Sequence, residues 1–436
     1  MPVTRELAVR RGQLMLLVGT TKGAFFFASP PARRNWSRGG PYFAGQAVNA
    51  FAHDARGGDR LFAGTENHHF GAGIVWSDDL GRTWTNLGEA SLRFPQDTEA
   101  SLQRVWQIEP GPDGVLYAGV EPSALFVSRD RGANWELVRG LWDHPHRPRW
   151  EPGGGGKCLH TILPDLGRGG RITVAMSTGG VYRSDDGGQS WSARNVGVRA
   201  EFLPDKFPEF GQCVHKIVRH PSRPDTMFLQ NHWGLYRSDD GGDSWRDIAR
   251  GVPSDFGFCM AVHPHDPDTV YIVPLESDGY RCTPEGRLRV YRTSDGGDSW
   301  QPLTNGLPQR DANETVLRDA MAVDPLNPAG VYFGTRSGKL FGSPNGGASW
   351  SLIADGLPPV LCVRVASIGD PAKMRVARPQ RSSAKKTSAA KSRAGTKPRP
   401  ARKALASAGA RSASKAQRSP SRPAPKRATP RRRANR

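Results

Sequence analysis

Seven tryptophans recur along this 436-residue chain at near-equal steps: Trp36, Trp84, Trp135, Trp191, Trp245, Trp300 and Trp350, with gaps of 48, 51, 56, 54, 55 and 50 residues. Six of them close one local pattern: Ser/Thr, any residue, Asp or Asn, any residue, Gly, any residue, Ser/Thr/Asn, Trp. Its third position is Asp79, Asp130, Asp186, Asp240, Asp295 and Asn345 in turn. A worn seventh copy keeps its ends, Ser29 and Trp36, at the same separation. A period of about 50 residues filled with short apolar runs predicts radially repeated β-structure.

Each pattern follows a strand-like run such as Val181-Tyr182-Arg183 and precedes another such as Trp245-Arg246-Asp247-Ile248. It is therefore read as a hairpin turn. The Asp and Ser side chains can bond turn amides, and Gly takes a positive φ without a Cβ clash. The indole then covers the apolar edge of its sheet.

These boxes resemble those of the Asp-box (bacterial neuraminidase repeat) propellers, which include sialidases, xyloglucanases, sortilin-type receptors and photosystem II assembly factors. The resemblance covers roughly residues 13 to 368. It implies an all-β, seven-bladed propeller of four-stranded blades, with the boxes on outer turns remote from a ligand face. Leu14–Gly19 and Gly23–Phe27 supply second and third strands of blade one, with no innermost strand before them. The strand at 360–368 (Val-Leu-Cys-Val-Arg-Val-Ala-Ser-Ile) is expected to supply it and close the ring. A six-bladed ring with a divergent N-terminal flap is the competing count.

Residues 1–369 are read as the propeller and 370–436 as a tail. From Pro371 to Arg436 there are 22 Lys and Arg and no Asp or Glu, leaving 39 basic and 41 acidic residues for the rest. The net charge of +20 thus belongs to the tail. A segment of Ala, Ser, Pro, Lys and Arg without an aromatic residue is expected to be disordered, and to bind nucleic acid non-specifically by counterion release. Five cysteines in a chain of this length form no disulfide framework. The apolar run Leu14–Val18 is shorter than a secretory core and is followed by Lys22, so a cytoplasmic monomer without a membrane span is expected.

In such propellers the outer-to-inner connections and the loops between second and third strands share one rim. Carboxylates beside aromatics at a central well suit a sugar, because rings stack on its face and acids handle the glycosidic oxygen. The expected ligand-binding set is Glu66, His68, Trp150, His160, His215, Lys216, Asn231, His232, Trp233, Arg281, Arg318 and Asp319. If the chain is an enzyme, a glycoside hydrolase is implied, with Glu121 and Glu276 as its carboxylates and Tyr280 as a sialidase-like nucleophile. The Phe/Tyr-Arg-Ile-Pro segment of sialidases is lacking. The main expectation is a binding propeller taking a glycan or a protein segment; a scaffold or assembly factor is the third.

Three motifs are set aside. Gly153-Gly154-Gly155-Gly156-Lys157 lacks the leading glycine, the Ser/Thr and the helix of a phosphate loop. The Asp-Asp-Gly-Gly-Asp turns lack calcium-loop spacing. Cys158-x-His160 and Cys213-x-His215 sit on blades related by rotation and are not expected to face each other. No metal and no cofactor is expected.

Overall fold

The computed structural model describes residues 5–86, 91–154, 156–177, 179–369 and 374. The expectations for the basic tail, its disorder and its nucleic-acid binding, concern residues outside that set. The chain divides into two units, residues 1–379 and 380–436, the second wholly outside the described set.

Blade one carries β1 (Leu14–Thr20), β2 (Gly23–Ser29) and β3 (Ser37–Tyr42). Blade two carries β4 (Ala47–Asp54), β5 (Arg60–Asn67) and β6 (Gly71–Ser77), and blade three β7 (Arg104–Pro110), β8 (Leu116–Glu121), β9 (Ala124–Ser128) and β10 (Glu136–Leu137). Blade four has β11 (Leu159–Pro164), β12 (Ile172–Met176), β13 (Gly180–Ser184) and β14 (Ser192–Ala193). Blade five has β15 (Val214–Arg219), β16 (Met227–Asn231), β17 (Leu235–Ser238) and β18 (Arg246–Asp247). Blade six has β19 (Gly257–His263), β20 (Asp266–Pro274), β21 (Val290–Thr293) and β22 (Gln301–Leu303). Blade seven has β23 (Met321–Val323), β24 (Val331–Gly334), β25 (Leu340–Ser343) and β26 (Ser351–Ala354), and β27 (Val360–Ser367) returns to blade one.

Every pairing within these seven sheets is antiparallel between chain neighbours, except that β27 pairs with β1. Blade two has three strands among the described residues; Thr85 still bonds Trp76 where a fourth would run. The innermost strands β27, β4, β7, β11, β15, β19 and β23 touch in that cyclic order, so the ring is closed and has seven blades.

Closure runs the full length of β1, with Leu14 opposite Ser367, Leu16 opposite Val365 and Val18 opposite Val363. It removes two sheet edges at once. All of β1 is buried because both its faces meet other blades. Leu16 and Val18 join Phe333 and Val360 on the blade-seven side, while Met15 and Leu17 join Phe51 and Leu61 on the blade-two side. A strand covered on both faces reads as one apolar run, and that is what Leu14–Val18 is. A polar clamp crosses the same seam. Arg33, in the worn box, bonds Asp324 of blade seven at 2.9 Å with both side chains buried, and Tyr332 donates to the same carboxylate at 2.7 Å. Trp36 packs edge-on against Tyr332.

The six full boxes share one geometry. The Ser or Thr oxygen accepts from the box Gly N–H at 2.8–2.9 Å and donates to the Asp or Asn at 2.7–2.9 Å. That side chain then accepts from the backbone N–H four residues on. Gly81 and its counterparts have φ near +90°, so the conformation needs glycine. The strand before each of three boxes also carries an Arg that reaches the next blade: Arg183 to Gly241 O, Arg237 to Gly296 O and Arg292 to Gly346 O. The boxes thus serve as turns and as docking points between neighbours.

Hydroxyls of Ser299 and Thr293, with the Ser299 N–H, hold the Asp295 carboxyl down at about 2. An Asp depressed from its ordinary value of about 3.9 adds stability that is complete above that value and fades as pH falls toward 2. Asn345 keeps the same acceptor contacts in the last box, so Asn is a mild replacement. Asp295→Asn should therefore lower the melting temperature by a few degrees at neutral pH, and Asp295→Ala by more. The gap between wild type and Asp295→Asn should close between about pH 4 and about pH 2; thermal melts showing a constant gap down to pH 2 would contradict this.

Candidate functional site

One β-bulge, repeated around the ring, shapes the site. Near the start of six of the seven innermost strands the register slips, leaving Asn49, Trp106, His160, His215, Phe258 and Leu361 without a cross-strand partner. A bulge bends its strand and re-aims a side chain. Five of these six residues, all but His160, line a cavity of about 1250 Å³. The second-to-third loops and outer-to-inner connections complete it, and no box residue contributes to its lining.

At the base of this well, charged side chains cross between blades. Lys216 of blade five bonds Asp319, which precedes β23, at 2.6 Å, with each side chain 10% exposed. Arg318 donates to the His215 carbonyl at 2.9 Å and to Ser177 Oγ at 3.3 Å, joining blades seven, five and four. Deeper along β7, Glu109 faces Arg364 of β27 at 3.5 Å. Burial in the channel raises the Glu109 carboxyl above its ordinary range, partly offset by Arg364.

Blade three supplies one wall. Trp106 donates its indole N–H to Glu121 at 3.1 Å, while Arg104 and Arg318 lie 5.3 and 5.1 Å from its ring centre. Arg104 also binds Glu66 at 3.0 Å. The half-buried indole is thus fixed and still presents surface to the well. Blades five and six supply a second wall. Trp233 lies against Phe202 and His232 at 5.2 and 4.2 Å, and His215 is enclosed by Phe256, Phe258 and His232. Burial, then Arg318, pushes the His215 imidazole well below its usual pKa, so the ring is neutral at neutral pH.

Of the residues anticipated from sequence, Glu66, His215, His232, Trp233, Arg281, Arg318 and Asp319 line the cavity. The others have other surroundings. Trp150 is buried and donates to the Tyr182 hydroxyl at 3.0 Å. His160 is fully buried and bonds Val214 O at 2.9 Å, a strut between blades four and five. Asn231 holds the Arg199 carbonyl, and Lys216 is spent on Asp319. His68 is exposed in the turn after β5.

The three residues expected to carry hydrolysis are not gathered in the well. Glu121 sits behind Trp106, 13% exposed. The insert after β20 folds back through bonds from Glu276 N to Cys282 O and from Thr283 N to Glu314 O. Glu276 and Tyr280 therefore end up exposed, with Tyr280 turned to Asn313, whereas Asp278 and Arg281 reach the cavity. Trp106, Arg104, Phe256, Phe258, Asp278 and Cys213 went unrecognised as lining residues. The bulges that re-aim Trp106 and Phe258 have no sequence signature.

The Cys158 and Cys213 pairs do not converge: Cys158 donates to Ser177, and burial raises its thiol. A third partner, however, joins the second pair. Ligand atoms of Cys213, His215 and His232 all lie within 4.8 Å of one another. Among the described residues no disulfide joins the five cysteines, and no helix is long and apolar enough to cross a membrane.

Residues 179–311 match the family Sortilin-Vps10 (sortilin, neurotensin receptor 3). The chain is 28% identical over 316 residues to an oligoxyloglucan-reducing end-specific xyloglucanase of Emericella nidulans, covering 66% of this chain and 36% of that protein. It is 30% identical over 159 residues to a xyloglucanase of Hypocrea jecorina, covering 33% of this chain and 18% of that one. The solved GH74 xyloglucanase from Xanthomonas campestris superposes with a TM-score of 0.56 at 20% identity, over 80% of this chain and 53% of that one. This chain therefore spans about a third or less of the curated relatives it matches. It shares with these proteins the Asp-box propeller fold.

Removing Lys216 would strand the Asp319 carboxylate at the base of the well. Lys216→Met should cost about 3 kcal/mol or more in urea unfolding, and the double variant Lys216→Met/Asp319→Leu should recover most of it. Equal stability of wild type and Lys216→Met would show that the cross-ring pair holds nothing.

Proposed function

We propose that the propeller binds a carbohydrate in its central well. The observation carrying this is the pair of half-buried indoles, Trp106 and Trp233, each fixed by neighbours and each bordered by charged side chains. A sugar ring offers a C–H face to an aromatic surface and hydroxyls to charged donors and acceptors. Arg104, Arg281, Glu66 and Asp278 stand around the indoles in that role. The activities of the xyloglucanase relatives support a glycan over a peptide as occupant.

Binding is favoured over hydrolysis. Glycoside hydrolysis requires two carboxyls flanking the bond, one kept protonated at neutral pH. Glu109, whose carboxyl burial raises, pairs with Arg364 and lies outside the cavity lining. Of the six carboxylates that line the cavity, Glu66 and Asp319 are each committed to a cation. Titration calorimetry with xyloglucan oligosaccharides should give saturable binding, weakened about tenfold by Trp106→Ala or Trp233→Ala. No reducing ends should be released. Release abolished by Glu121→Gln or Glu276→Gln would establish the hydrolase instead, and no binding by any xyloglucan fragment would end the carbohydrate reading.

For the basic segment 371–436 the proposal remains a non-specific nucleic-acid tether, resting on 22 cationic residues without a counter-charge. Truncation after Gly369 should abolish low-salt retardation of duplex DNA, and full-length binding should fall steeply as salt rises. Equal retardation by the truncated chain would remove the assignment.

A further inference from the structure

The geometry points to a zinc(II) site in the wall of the well, held by Cys213, His215 and His232, with a fourth position open to the cavity. The three ligand atoms lie within 4.8 Å of one another, and Cys213 Sγ is 3.7 Å from His215 Nε2. Tetrahedral zinc with ordinary Zn–S and Zn–N lengths sets that sulfur–nitrogen edge at about 3.6 Å. The pair already has the separation the ion would impose.

The surroundings prepare the ligands in the way metal sites do. His215 Nδ1 is 2.6 Å from the Gly257 carbonyl, so Nδ1 carries the proton and donates it. That leaves the Nε2 lone pair directed at the thiol side. His232 is oriented by Asp278, whose Oδ2 is 3.2 Å from its Nε2, an acid–imidazole contact of the kind that supports metal-bound histidines. Phe256 and Phe258 enclose the His215 ring edge-on and tilted, which fixes it without competing for its nitrogen.

Position in the fold explains how the three residues meet. Cys213 immediately precedes β15, and His215 is the bulged residue of that strand, turned to the same side as Cys213. His232 follows β16, and its main-chain N–H donates to the Cys213 carbonyl at 3.0 Å, which locks the loop against the strand start. One blade thus supplies all three ligands, and a rigid sheet sets their spacing. All three, with Asp278, line the cavity, so the remaining coordination position faces ligand or water.

Charge decides which metal fits. Arg318 and Arg281 line the same cavity and oppose added positive charge. A metal-bound Cys213 thiolate and the Asp278 carboxylate would offset the ion's charge. One sulfur and two imidazoles suit zinc(II) over calcium or magnesium, which take oxygen ligands. The site shares Asp278 and the cavity with the carbohydrate reading, but its three ligands are other residues and zinc binding is read without any sugar, so the two fail separately.

The test uses untagged full-length protein stripped with a chelator and titrated with zinc(II), then with cobalt(II) as a spectroscopic stand-in. One equivalent of zinc should bind, and cobalt should give a sulfur-to-metal charge-transfer band with tetrahedral visible bands. Cys213→Ser should remove the charge-transfer band, and His232→Asn should weaken zinc at least tenfold. Asp278→Asn should weaken it about tenfold through His232 alone. Cys282→Ser, a thiol outside the group, should change nothing. Circular dichroism and melting curves identify variants that keep the fold; should Cys213→Ser fail to fold, His232→Asn decides. No saturable zinc binding, a cobalt spectrum without thiolate character, or unaltered affinity in folded His232→Asn would each overturn the site.

Discussion

The pairing of β27 with β1 is the contact on which the rest of the molecule depends. A propeller blade buries its faces only against its two neighbours, so an open ring would leave two apolar faces and two strand edges in water. Here the strand that comes last in the chain becomes the innermost strand of the first blade, over seven residue pairs. The same seam is tightened by the buried Arg33–Asp324 pair and by Trp36 against Tyr332. It is notable that the worn first box lies here. Its Ser and Trp survive, Pro31 stands where the other boxes have Asp or Asn, and Arg33, at the glycine position, is the clamp that reaches the last blade.

The well is a consequence of that closure combined with a local irregularity. Closing the ring brings seven innermost strands around one axis, where charged residues pair across blades: Lys216 with Asp319 and Glu109 with Arg364. Bulges near the starts of six of those strands then re-aim one residue each, and five of the six reach the well. The identity of those residues differs from blade to blade, Asn49, Trp106, His215, Phe258 and Leu361, so a repeated backbone device yields an asymmetric surface. Asymmetry of this kind is what a binding site on a pseudo-symmetric scaffold requires.

The architecture was legible because its signal is local and repeated. Each box satisfies its own turn amides through side chains a few residues apart, and glycine is needed at a fixed place. Rim membership was partly legible, since loop position within a blade assigns a face, and seven of twelve anticipated ligand residues line the cavity. It failed where side-chain direction depended on tertiary contacts. Glu276 and Tyr280 lie on an insert whose fold-back is set by bonds to Cys282 and Glu314. His160 and His215 occupy equivalent bulges, yet one is a buried strut and the other lines the well. The proximity of His232 to Cys213 arises from a loop-to-strand hydrogen bond.

The sequence by itself therefore determined the repeat, the blade count, the closing strand and the side of the ring on which loops gather. Those properties follow from contacts within about ten residues, or from the need to cover an edge. Only the tertiary structure decided which side chains share the well, which carboxylates are tied to cations, and which thiol meets two imidazoles. Those outcomes hinge on register slips of a single residue and on charges meeting across the axis between blades far apart in the chain.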